Sequence, residues 1–216
     1  GYLANRELTS KWAHQRAPIV TAALPLILPH ATLLVEPYVL GAWLGDGSTD
    51  CSTITNADSE VIDEIARHEG EAHQVADNGS AAKGYRFGVS YRDGRNASDT
   101  LQGRLRLLGV LGNKHIPMEY MRASITQRRR LLQGLIDTDG HVAPDGQVEF
   151  CSMLGGLALQ VKELVASLGH KASVCVGDAT IDGRYCGIKY RVMFYMAGAA
   201  LMTRKAVRCR HGIKAH

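Results

Sequence analysis

The chain repeats itself, and the repeat restricts the folds open to it. Pro37-Tyr38-Val39-Leu40-Gly41-Ala42-Trp43-Leu44-Gly45-Asp46-Gly47 and Arg130-Leu131-Leu132-Gln133-Gly134-Leu135-Ile136-Asp137-Thr138-Asp139-Gly140 share one pattern. Each runs through an apolar turn, a glycine, three residues and a small residue, then Asp and Gly. An internal duplication of this kind builds two similar structural units. Glu36 and Pro37 open the first segment, with proline at the first helical position. Ser124 and Gln127 form a capping-box pattern ahead of the second. Gly47 and Gly140 follow the acids and read as helix stops, Gly47 a left-handed one.

The segments downstream also match. After Asp46 come a β-prone stretch (Ser52 to Thr55), then a helix with Val61, Ile62 and Ile65 on one face, ending at Gly70. A strand (His73 to Val75), a turn at Asn78-Gly79 and a strand (Tyr85 to Tyr91) follow. After Asp139 come a strand around Val148 to Cys151, then a helix with Leu157, Val161, Leu164 and Leu168 in period, ending at Gly169. A strand (Ser173 to Val176), a turn at Asp182-Gly183 and a strand (Tyr185 to Tyr195) follow. Each copy reads helix, two strands, helix, two strands, helix. The expected fold class is α+β, in two pseudo-symmetric halves: residues 35–122 and 123–216. Residues 1–34 are an N-terminal extension or a remnant of a larger host protein.

Composition narrows the functional class. A hydrophobic fraction of 45% with 21% charged residues excludes wholesale disorder. No apolar run reaches the roughly 18 residues of a membrane span, and Ile19 to Leu34 is broken by Pro25 and Pro29. The net charge of +4 is a mild tilt toward polyanions, concentrated at Arg128 to Arg130 and at Arg204, Lys205, Arg208, Arg210 and Lys214. Five cysteines with no C-x-x-C pair read as reduced, mostly buried thiols of a cytosolic protein. The histidines show no H-E-x-x-H or H-x-H spacing for zinc.

The repeat places its chemistry at two acids. Gly41 and Gly45, like Gly134 and Thr138, lie four residues apart on one helix face, so two such faces can pack backbone to backbone. Asp46 and Asp139 would then emerge together at the end of the seam. Each carboxylate would face the negative end of a helix dipole, a cost of about 0.3–1 kcal/mol, and each would repel the other. A cation should neutralise them, and Mg²⁺ suits carboxylates, backbone carbonyls and phosphate oxygens. Metals so held activate water for phosphodiester hydrolysis. An EF-hand loop starting at Asp137 fails, with Val142 at the sixth position and Val148 at the twelfth.

At these residues the chain resembles the LAGLIDADG homing endonucleases. Leu132 to Gly140 is similar to the family signature. Leu40 to Gly47 is similar to the diverged first copy of intein-encoded members, notably those of DnaB-type helicases, and Asn113-Lys114-His115-Ile116-Pro117 is a further intein-class mark. The resemblance spans roughly residues 36–210. It implies a double-motif monomer of αββαββα halves, with paired central helices and two antiparallel sheets that straddle the DNA major groove. It implies site-specific double-strand cleavage of a long, partly asymmetric DNA target, dependent on Mg²⁺, with Mn²⁺ substituting.

The resemblance also assigns residues. Asp46 and Asp139 are the metal-binding acids, one per strand, and the carbonyls of Gly45 and Thr138 add ligands. Lys114 matches the basic residue near the scissile phosphate. Lys205 follows Asp139 at nearly the spacing by which Lys114 follows Asp46, and is its candidate partner, with Lys189 the alternative. Asp137, paired with Leu44 in the first copy, stays outside the catalytic set. Thr53, Asn56, Arg86, Ser90, Arg92, Glu149, Ser152, Lys171, Arg184, Lys189 and Arg191 are the expected DNA-facing residues, reading base edges or holding phosphates. Gln127 to Arg130 reads as a solvated helix face, or else as a grip on phosphate. The expected location is the bacterial or archaeal cytosol, on the nucleoid when bound. The alternative is a degenerate relative that binds DNA or RNA without cutting, as a maturase or regulator; retention of Asp46, Asp139 and Lys114 favours the enzyme. A splicing element is the third class, and Gly1 and Lys214-Ala215-His216 lack its nucleophile and its His-Asn pair.

Overall fold

A computed structural model describes residues 24–77, 79–88 and 97–196. Helix α1 (Pro37–Asp46) is buried from Pro37 to Leu44, as expected of a helix apolar on every side. Glu36 caps it by accepting from the Val39 amide at 3.1 Å. After α1 come β1 (Ile54–Asn56), α2 (Ser59–Glu69), β2 (Ala72–Ala76), β3 (Lys83–Phe87), a 3-10 turn (Ala97–Asp99), α3 (Leu101–Leu107) and α4 (Met118–Met121). The second half begins with α5 (Ile125–Asp139), whose capping box of Ser124 and Gln127 is formed. It continues through β4 (Gly140–Val142), β5 (Gln147–Ser152), α6 (Gly155–Ser167), β6 (Ala172–Ile181) and β7 (Arg184–Tyr195).

Both sheets are antiparallel, with orders β1-β3-β2 and β4-β5-β7-β6. The pseudo-symmetry holds strand by strand, except that the first half reduces its first strand to a single bridge between Gly47 and Ile54. One core joins the halves, running from Leu40, Trp43 and Ile65 through Leu131 and Leu135 to Phe150, Val161 and Phe194. The expected helices end where glycine permits positive φ, at Gly70 (90°) and near Gly169 (85°). The Asp182-Gly183 turn, positive at both residues (51° and 76°), sets the β6–β7 hairpin. The end of the Tyr85 to Tyr91 strand lies outside the described residues.

Gly47 is not a left-handed stop, since its φ is −74°, and Gly140 is extended at −104°. What these positions exclude is a Cβ, which would strike the Trp43 carbonyl and indole at Gly47. At Gly140 it would meet the Ile136 Cα at 2.6 Å. The cysteines are also not mostly buried: Cys51, Cys151 and Cys175 are half-buried and Cys186 is exposed, all as free thiols. Cys151 and Cys175 pair with Arg191 from either side, so all three share one sheet face. Cys209 lies outside the described residues.

The basic run 128–130 is structural rather than solvated, apart from exposed Arg129. Arg128 is fully buried. It donates to Ala123 O (2.9 Å), Ser167 O (2.7 Å), Ser167 Oγ (2.6 Å) and the Leu26 carbonyl. Three of these acceptors lie at the C-terminal ends of α4 and α6, where partial negative charge gathers. Arg128 thereby fastens the extended strap 24–35 to the second half, helped by the Gln127 amide on both polar groups of Ala31. The Tyr120 hydroxyl does the same at Val35. Arg128→Met, which leaves those carbonyls without a donor, is expected to cost about 3 kcal/mol. Thermal unfolding should show a Tm fall of roughly 6–12 °C; an unchanged Tm would remove the clamp from this account.

Candidate active site

Helices α1 and α5 meet without side chains between them. A Cβ on Gly41 would reach the Leu131 carbonyl, and one on Gly134 the Tyr38 carbonyl and, at 2.6 Å, the Ala42 nitrogen. One on Gly45 would strike Thr138. The glycines thus let the two backbones touch, as the spacing predicts. The seam is closed at its upper end by Arg130, which pairs with Glu36 (3.2 Å) and Glu64 (2.6 Å) and lies over the Tyr38 ring at 4.8 Å. Its lower end carries Asp46 and Asp139, the last residues of the two helices.

Lys114 completes that end. Its Nζ donates to Leu44 O and Gly45 O, each at 3.0 Å, and sits 5.2 Å from the centre of the Trp43 ring. A cation on the final carbonyls of α1 answers the helix dipole. Burial pushes the ammonium below the ordinary lysine range, against the pull of Asp139 and Asp46, so both acids act on this one side chain. Gln160 of α6 holds the Lys114 loop by accepting from Ile116 N at 2.8 Å and donating to Ile116 O at 3.1 Å. A Gly112 N to Thr49 O bond at 2.7 Å ties the same loop to the residues after Asp46.

Asp137, two residues before Asp139 on the same helix, has a different partner. The Tyr38 hydroxyl donates to its Oδ2 at 2.9 Å, bonding α1 to α5. Burial first, and then Asp137, hold the Tyr38 hydroxyl well above the usual phenol range, so it remains a donor. Tyr38→Phe is expected to cost about 1 kcal/mol of stability and to leave the function at the seam's end intact; denaturant titration reads the first.

The donors at the seam's end are hard oxygens. Among the described residues no group of three or more His, Cys, Asp and Glu gathers, which does not fit a zinc centre. Two carboxylates with the Gly45 carbonyl beside them fit a magnesium-like cation, whose remaining positions go to water and phosphate.

No protein-family model matches the chain. It is 46% identical over 175 residues to the replicative DNA helicase DnaB of Mycobacterium intracellulare, covering 81% of this chain and 26% of that protein. The chain therefore spans about a quarter of its relative's length. The duplicated motifs, the glycine seam between them and the acids at its end now stand together with a helicase relative. The chain is similar over most of its length to a stretch of that helicase polypeptide. Solved structures of the homing endonuclease I-DmoI are also similar to the chain. Its mesophilic variants align with a TM-score of 0.48 at 13% identity, covering 85% of this chain and 97% of theirs. I-DmoI in complex with DNA and Mn aligns at 0.49 and 12%, covering 85% and 98%.

Around the seam the expected site residues disperse. Asp46, Asp139, Lys114 and Gly45 come together. The Thr138 hydroxyl turns back onto Gly134 O and Leu135 O, at 2.9 and 3.1 Å. Asn56 donates to Asp46 Oδ2 at 2.5 Å. Thr53 is nearly buried and accepts from Arg86 Nε at 3.2 Å. Ser152 shares the strand parity of buried Phe150, opposite to Glu149. Glu149 and Arg191 pair at 3.7 Å on the outer face of the second sheet, with Lys189 on that same face. Gly140 pairs with Phe150, so Asp139, just before it, borders Cys151 on this face. Lys171 and Arg184 are exposed. Ser90, Arg92 and Lys205 lie outside the described residues. Gln160 and the Tyr38–Asp137 bond carried no sequence signal, because each joins residues far apart in the chain.

Proposed function

We propose that the chain is a site-specific DNA endonuclease that makes a double-strand break by divalent-metal-dependent hydrolysis. The observation that carries this reading is the meeting of Asp46, Asp139 and Lys114 at the end of one seam. Asp46, Asp139 and the carbonyls of Gly45 and Thr138 would hold Mg²⁺, or Mn²⁺ in its place, which would supply an activated water and neutralise charge on the leaving oxygen. Each acid serves one strand. Lys114 presents its ammonium to the phosphate nearest Asp46 and stabilises developing charge there. The loop clasp from Gln160 holds that ammonium in place. On the second side Lys205 is the candidate for the same task, and Lys189, on the sheet face that borders Asp139, is the alternative. Arg86, Arg191, Lys189 and the exposed Lys171 and Arg184 bind phosphates and base edges of a long duplex, so binding weakens as salt rises.

The relation to a DnaB polypeptide supports an intein-borne element whose target is the uninterrupted helicase gene. A duplex of that gene, incubated with the protein and Mg²⁺, tests the reading. Lys114→Met is expected to slow cleavage by about 10²-fold while duplex affinity falls little. Unchanged cleavage by Lys114→Met would remove the lysine from the mechanism.

A further inference from the structure

We propose that Asn56 is a positioning residue that fixes the carboxylate of Asp46 for its cation, a role resting on the reading of Asp46 as a metal-binding acid. Asn56 ends β1, two residues before Asp58, the cap of α2. Its Oδ1 accepts from the Asp58 backbone N–H at 2.6 Å, and its Nδ2 donates to Asp46 Oδ2 at 2.5 Å. The backbone donor settles the orientation of the amide. With Oδ1 committed to an N–H, only the NH₂ side can face the acid, and a flipped amide would set oxygen against oxygen. One edge of the Asp46 carboxylate is thereby held by a neutral donor anchored on rigid backbone. The other oxygen is oriented with it. A donor of this kind limits the rotation of a ligating carboxylate without adding charge.

The second half shows what the amide adds. Ser152 ends β5, two residues before Leu154, the cap of α6, and its Oγ accepts from Leu154 N at 3.1 Å. The turn bond is thus common to both halves. The amide of Asn56 adds a bond to the acid of its own half. The first acid is thereby tethered from its own sheet.

Asn56→Ser separates the two bonds, because serine keeps the turn as it does at residue 152 and loses the amide. The probe is terbium alone, titrated into the full chain and followed by its tryptophan-sensitised emission, Trp43 being next to Lys114. Asp46→Asn, run alongside, should weaken terbium binding strongly. Asn56→Ser is expected to weaken it about 10-fold with an unchanged Tm. Wild-type affinity in Asn56→Ser, with Asp46→Asn weakened, overturns the positioning role and leaves the acid's role standing. Wild-type affinity in Asp46→Asn overturns both. Asn56→Thr, which also keeps the turn bond, is the second variant; if neither folds, Asn56 is a structural residue and the proposal falls.

Discussion

Asparagine at either Asp46 or Asp139 is expected to abolish double-strand cleavage, lowering the rate by at least about 10²-fold. The change is nearly isosteric and leaves each helix end intact. What it removes is the negative charge that holds the cation against the seam. Because the seam brings one acid from each half, either loss should disable one strand more than the other. Strand-resolved electrophoresis should therefore show nicked product in one variant on the top strand and in the other on the bottom strand. Duplex affinity measured in Ca²⁺ should change little in both, since the sheets proposed to contact DNA are untouched. Full cleavage by either variant would break the proposed assignment.

Valine at Gly134 is expected to have the largest effect on stability. Its Cβ would fall on the Tyr38 carbonyl and within 2.6 Å of the Ala42 nitrogen, which are backbone atoms of α1 and cannot swing aside. The helices must separate, opening the core around Leu40, Leu44, Leu131 and Leu135, all essentially inaccessible. Overpacking against rigid neighbours typically costs about 1–3 kcal/mol. With the central helices pushed apart the expected loss exceeds about 4 kcal/mol, a Tm fall of roughly 8–16 °C. Gly156→Ala is the control, because a Cβ there meets nothing within 4 Å. In helix α6 it should change stability by no more than about 1 kcal/mol, upward. If Gly134→Val matched that control, the seam would not be a backbone contact.

The parts legible in the sequence are those encoded locally or twice. Glu36-Pro37 and Ser124/Gln127 announce the starts of α1 and α5 because caps are short-range signals. The glycine spacing announces the seam because the repeat states it twice. Gly140 closes its helix as expected, but Gly47 does so without a positive φ, because a glycine after a helix serves either a positive φ or a close approach, and only the backbone shows which. The basic run at 128–130 was opaque for another reason. Its charges answer Leu26, Glu36, Glu64 and Ser167, groups 39 to 102 residues away along the chain for those that bond Arg128, and composition says nothing about such partners. Thr53, Asn56 and Ser152 mark the same limit at the site. Strand alternation names polar positions, but an acid, an arginine and a turn claim these three.

The central claim is that the acids at the seam's end cut both strands of DNA with a divalent cation. It is tested most directly by sequencing the ends formed when the full chain meets an uninterrupted helicase-gene duplex, with Mg²⁺ and with EDTA. The account predicts one break, at a single position on each strand, present with Mg²⁺ and absent with EDTA. Tight binding with no ends formed, or ends that persist in EDTA, would contradict it.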